Sequence, residues 1–149
     1  MKRSGRLDIV QQAAAQTERE RAERVGAAER HLQEMQNKLA ALERYRDEYE
    51  AGFASRAKAS ADVIGMRDFQ TFLARLGEAL AQQRELVVLA QRTLEKERAH
   101  WREAAQRAHV VDTLQERWQS EETRAADRRD QQESDELSQQ RASNRDRNT

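Results

Sequence analysis

From Met66 to Val111 the chain reads MRDFQTFLARLGEALAQQRELVVLAQRTLEKERAHWREAAQRAHVV. Starting at Met66, the residues Phe69, Leu73, Leu76, Leu80, Gln83, Val87, Ala90, Leu94, Glu97, Trp101, Ala104, Ala108 and Val111 follow one another in steps of three and four. That spacing draws one seam along an α-helix and predicts a second helix to pack against it.

The partner lies upstream. Leu7, Val10, Ala14 and Thr17, then Val25, Ala28, Leu32, Met35, Leu39, Leu42 and Tyr49, repeat the same spacing. The two runs join through Arg21 by successive steps of four, a stutter that bends a helix without ending it. Between the helices ASRAKASADVIG, residues 54–65, carries small residues, two serines and Gly65, and reads as the turn. The expected organisation is a single coiled-coil domain: helix one over about 4–53, turn over about 54–64, helix two over about 65–140 and a frayed tail at 141–149. Its fold class is all-α, an elongated two-helix antiparallel coiled coil or helical hairpin with a projecting C-terminal helix.

Residue size tests the pairing. With the turn centred near Ala59, residues whose numbers total about 118 face each other, so Tyr49 meets Phe69, Tyr45 meets Leu73, Leu42 meets Leu76 and Ala28 meets Ala90. Large faces large and small faces small. The same register sets Trp101 beside Thr17 and brings Trp118 to the start of helix one, leaving the chain beyond it with no partner helix. That arm keeps helix-forming residues but offers Leu137 as its one large apolar side chain, so it is expected to fray, and to be disordered beyond about Arg141.

Composition agrees with long helices. The 149 residues are 36% charged, proline is absent, and the mean hydropathy of -1.10 is too polar for a compact globular core. Twenty-seven basic residues balance twenty-seven acidic ones, so no net field favours nucleic acid. Cysteine is absent, which closes disulfide and thiolate chemistry, and no apolar run reaches the length of a signal core or a membrane span, so the chain is expected to be made and kept soluble.

Nothing in the pattern builds a catalytic, cofactor or metal site. Gly26, Gly52, Gly65 and Gly77 stand alone, with no phosphate loop, and His100 and His109 lie nine residues apart instead of the three or four that share a metal. The carboxylates Glu18, Glu20, Asp47, Glu48 and Glu50 sit among arginines at helical spacing and read as solvated faces. No enzyme activity and no cofactor are expected.

What remains is a surface for partners. Five of the seven aromatic residues, Tyr45, Tyr49, Phe53, Phe69 and Phe72, crowd around the turn. Leu42, Tyr45 and Tyr49 form a stripe too wide for a narrow seam, with Phe72 and Ala79 beside the seam on helix two. The rings either close the hairpin tip or present an apolar patch, and the two roles are compatible.

The sequence resembles the FliJ proteins of the bacterial flagellar type III export apparatus over almost its whole length. The resemblance rests on Leu42-x2-Tyr45-x3-Tyr49, on Asp68-Phe69-Gln70-x-Phe72-x3-Leu76, on Trp101-Arg102-Glu103, on Thr113-Leu114-Gln115-Glu116-Arg117 and on Asp135-Glu136-Leu137-Ser138-Gln139-Gln140-Arg141. It implies a small non-enzymatic protein at the cytoplasmic face of the inner membrane, reaching the membrane only indirectly through the export gate. It further implies a stalk within the hexameric export ATPase, contact with the cytoplasmic domain of the export gate, recycling of export chaperones, and a need for the protein in flagellum assembly, motility and chemotaxis. Carried over residue by residue, the gate-binding patch is Leu42, Tyr45, Tyr49, Phe72, Leu76 and Ala79, with Gln83 at its edge. The alternatives are the stalk protein of a virulence-type injectisome and a generic coiled-coil scaffold.

Overall fold

The computed structural model describes residues 3–57 and 63–148. Two helices account for them: α1, Arg3–Ala57, and α2, Val63–Arg147. They pack against each other as an antiparallel helical hairpin, with no strand among the described residues. Both helices outrun their expected bounds near the turn, α1 continuing to Ala57 and α2 starting at Val63; the centre of the expected turn lies outside the described residues. No glycine in the described residues takes a positive φ, so the glycines sit inside helices without breaking them.

The contact layer of each helix returns every seven residues. On α2, burial marks Leu76, Leu80, Gln83, Val87, Ala90, Leu94, Ala104, Ala108 and Gln115, with Phe69, Leu73, Glu97, Trp101, Val111 and Trp118 half-buried between and beyond them. The predicted α2 seam is therefore present, and it continues past Val111. Met66, which the spacing places at the head of the seam, is exposed instead.

On α1 the seam differs from expectation at its start. Val10 is 49% exposed and Thr17 is exposed as well, while Gln11 and Glu18 are half-buried. Leu7, Gln11, Ala14, Glu18, Arg21, Val25, Ala28, Leu32, Met35, Leu39, Leu42, Arg46, Tyr49 and Phe53 then form one heptad series with no stutter. The physical reason is that long polar side chains lay their methylene stems in a seam while the head reaches its edge, so an apolar neighbour does not displace them.

Contacts gather the chain into two compact units, Arg19–Glu103 and Met1–Glu18 with Ala104–Thr149. In the first, Met35, Val87 and Ala90 form the centre of the core, covered by Leu32 and Leu39. Leu80 is the most deeply buried side chain, 1% exposed. Gln83 is buried too, and its Nε2 donates to the Met35 carbonyl oxygen at 2.9 Å. Met35 and Gln83 total 118, as predicted, but Met35 also packs with Val87 and Phe53 stacks on Phe69, both totalling 122, so the helices meet up to one turn beyond the predicted register and Trp101 lies by Ala22 and Val25 instead of Thr17.

In the second unit Leu7, Ala104, Ala108 and Gln115 are buried. Ser4 Oγ donates to Glu122 at 2.6 Å, Gln11 Nε2 donates to Asp112 at 2.7 Å, and the Arg3 guanidinium lies 5.7 Å from the Trp118 ring centre. Trp118 thus stands at the start of α1, as the register requires.

From residue 126 to 148 every residue is exposed, yet α2 remains helical to Arg147, past the end expected near residue 140 and through the stretch expected to be disordered. The segment has no glycine or proline, Gln131 bonds Asp135 one turn away at 3.1 Å, and Arg145 and Arg147 sit at the negative end of the helix dipole.

The unbroken heptad makes a direct prediction. Leu80→Ala empties a closed seam position and should lower the unfolding free energy by about 2–5 kcal/mol. Val10→Ala should change it by no more than about 0.5 kcal/mol, the range of an exposed position. Urea unfolding followed by circular dichroism measures both, and a large loss at Val10 would restore the stuttered seam.

Candidate partner-binding surface

A seven-residue repeat sorts the residues beside the seam onto two flanks, because side chains two positions apart diverge by about 200° around a helix. In the Arg19–Glu103 unit the two flanks have opposite chemistry. Glu43 meets Arg84 at 3.7 Å, and two heptads further along Glu29 meets Arg98 at 3.5 Å. These pairs are solvent-exposed and contribute little stability, but they fill that flank with charge.

Tyr45, two residues from Glu43, falls on the other flank, and there it meets Phe72 edge-on with 5.9 Å between ring centres. Tyr49 lies 4.2 Å from Phe72 and 6.5 Å from Tyr45 by the same measure. Behind them Tyr49 stacks on Phe69 at 5.3 Å, and Phe53 stacks on Phe69 at 3.6 Å. All five rings therefore form one cluster. Phe69, Tyr49 and Phe53 close the seam near the turn, and Tyr45, 50% exposed, is the member most open to water.

The residues of the carried-over patch do not share one environment. Tyr45 is exposed, and Leu42, Tyr49, Phe72 and Ala79 are half-buried beside it. Leu76 and Gln83 are buried in the seam, where they support the surface from beneath and offer it little area. Sequence reasoning missed Leu86 and Leu89. Leu86 continues the seven-residue line of Phe72 and Ala79, and both leucines are exposed. Their signal is the run Leu86–Ala90, five consecutive apolar residues where one seam uses two.

The arrangement is a firm apolar face with a hydroxyl at its rim, suited to gripping another protein. What it offers is contact area. Among the described residues no helix is long and apolar enough to cross a membrane.

A family model described as the flagellar FliJ protein matches residues 1–147. The chain belongs to the FliJ family. Membership makes it a helical coiled-coil protein related to flagellar protein export, in a family of structural and export components. No curated protein and no solved structure matches the chain.

Structural and displayed rings separate by mutation. Phe69→Ala removes the ring on which two others stack and should cost about 3–5 kcal/mol of stability. Tyr45→Ala, at a half-exposed rim, should cost no more than about 1 kcal/mol. Thermal unfolding of the two variants gives the comparison, and equal losses would mean that Tyr45 is a core residue.

Proposed function

We propose that the protein is a non-enzymatic stalk of the flagellar export ATPase ring that also contacts the cytoplasmic domain of the export gate and recycles export chaperones. It works in the cytoplasm, peripheral to the inner membrane through the gate, and supports flagellum assembly, motility and chemotaxis. Membership of the FliJ family favours the flagellar machine over the injectisome. The observation that carries the gate contact is the Tyr45–Tyr49–Phe72 cluster, an aromatic surface on one flank of a hairpin whose opposite flank is ion-paired. The gate-contact residues are Leu42, Tyr45, Tyr49, Phe72 and Ala79, held up by Leu76 and Gln83.

The stalk role rests on a different feature, the exposed helix from residue 126 to 148, whose polar surface suits a water-lined channel better than a packed core. A ring that closes around such a helix gains contacts that the free chain does not make, so binding there stabilises the helix by mass action.

Two measurements test the reading. Tyr45→Ala with Phe72→Ala should weaken binding to the purified gate domain at least about tenfold, since each ring contributes on the order of 1 kcal/mol or more at an interface. Circular dichroism should remain helical; unchanged affinity in a folded double variant removes the patch from the gate contact. Separately, a chain ending at Trp118 should retain its hairpin unfolding transition and lose stimulation of the export ATPase. Normal stimulation by that truncated chain would show that the terminal helix has no part in the ring.

A further inference from the structure

The chain is neutral as a whole, but the unit made of its N-terminal turns and Ala104 onward is not neutral across its width. Gln11 donates to Asp112, which fixes the flank on which Asp112 lies. Asp8 and Glu116 lie on the same flank, at heptad and near-heptad offsets from the seam. The other flank, about 200° away on each helix, holds Arg3, Arg6 and Val10 on α1, with Arg107, Val110, Leu114, Arg117 and Arg124 on α2. Five arginines stand there against one carboxylate, Glu121. Among the described residues no ion pair joins Arg6, Arg107, Arg117 or Arg124 to a carboxylate.

The same flank carries exposed apolar area. Val110 is 57% exposed and Val10 nearly as open, while Leu114 and Trp118 are half-buried one and two turns beyond Val110. One surface depression lies in this flank's groove and another beside it. Leu7, Val10, Trp118, Arg3 and Arg6 line the first, of about 350 Å³. Val110, Leu114 and Arg117, with His109 and Thr113, line the second, of about 370 Å³, on the outward side of α2 at the edge of the flank.

We infer that this flank docks an acidic amphipathic helix of a partner protein. Two packed helices leave a groove along each flank, and the ridges of a third helix fill such a groove at side-chain spacings of three and four. Val110, Leu114 and Trp118 supply the spacing of four. The arginines stand on both sides of the apolar line, with Arg3 and Arg6 on one helix and Arg107, Arg117 and Arg124 on the other. Carboxylates flanking the apolar stripe of an incoming helix therefore meet guanidinium groups on either edge. From Arg107 to Arg124 the groove runs about 26 Å, about five helical turns, enough to hold three heptads only in part and two in full. A flat anionic membrane would meet the outer arginines and leave the groove empty. The inference is independent of the gate contact, which uses residues of the other unit.

The test uses the full-length protein and a labelled three-heptad synthetic peptide with leucine at its a and d positions and glutamate at its e and g positions. Fluorescence anisotropy should show binding that weakens as salt is raised through the range where the screening length falls below about 10 Å. Arg107→Glu with Arg117→Glu should reduce affinity at least about tenfold, and Val110→Asp should do the same. Glu116→Gln, on the opposite flank, should leave it unchanged. A peptide with lysine in place of glutamate should not bind. If the acidic peptide does not bind, or if the flank variants bind it as wild type does, the inference is wrong. Phosphatidylcholine–phosphatidylserine vesicles that bind wild type and lose the arginine variant, with no peptide binding, would replace the helix by a lipid surface. Gate-domain affinity, measured on the same variants, should not change and so keeps this outcome separate from that of the ring cluster.

Discussion

Each helix must return a contact residue to the same line every seven positions, and the rest of the molecule follows from that constraint. It fixes which side chains are buried, and it also decides what cannot be buried. Residues on either side of the line diverge to opposite flanks, so a sequence can write two unrelated surfaces along one seam. Glu43 and Tyr45 illustrate this in one turn of α1. The first joins an ion pair with Arg84 and the second meets the ring of Phe72, although they are two residues apart.

The seam admits polar residues at a cost that stays local. Gln83 satisfies its amide by donating to the Met35 carbonyl, whereas Glu97 Oε2 and Gln115 Oε1 are buried with no hydrogen-bond partner among the described residues. An oxygen buried without a donor opposes folding by about 1–3 kcal/mol. The Gln83 bond does not choose the register, since a helix presents a carbonyl in every layer and a slipped pairing would find another. Residue size narrows it to within one turn. The stacked rings of Tyr49, Phe53 and Phe69 need one another's volume, and Ala28 and Ala90 are buried at positions where larger side chains would force the helices apart.

For this reason the hairpin was legible in the sequence before its details were. The α2 seam from Phe69 to Val111 and the place of Trp118 could be read from spacing and volume alone, whereas the register read as 118 fell up to one turn short, since d-to-d and a-to-d pairings match residue sizes almost equally well. The start of α1 could not. Val10 and Thr17 look better suited to a seam than Gln11 and Glu18 on hydrophobicity, and hydrophobicity is what a pattern search weighs; the structure keeps the geometric repeat and accepts the polar side chains. The ring cluster was visible because aromatic residues are scarce elsewhere, but the burial of Leu76 and Gln83 beneath it was not, since spacing alone cannot tell a half-exposed flank from the seam one position away. The basic flank was hidden for a different reason. A balance of twenty-seven charges of each sign averages over opposite sides of the same helices.

Where the hairpin ends and where the helix ends are separate signals. Continuing the α2 heptad beyond Ala125 gives Arg129, Gln132, Glu136 and Gln139, none of which can hold a second helix by apolar contact. The seam therefore stops near Ala125 through a change in side chains, while the backbone runs on as helix to Arg147 because helix-forming residues and local bonds such as Gln131–Asp135 continue. Each such local pair contributes only about 0.2–0.5 kcal/mol, far less than a buried leucine. Order in the terminal segment is thus decided by small terms that a binding partner can outweigh, and order in the hairpin by large terms that it cannot. One continuous helix carries both behaviours, divided at the residue where the apolar side chains run out.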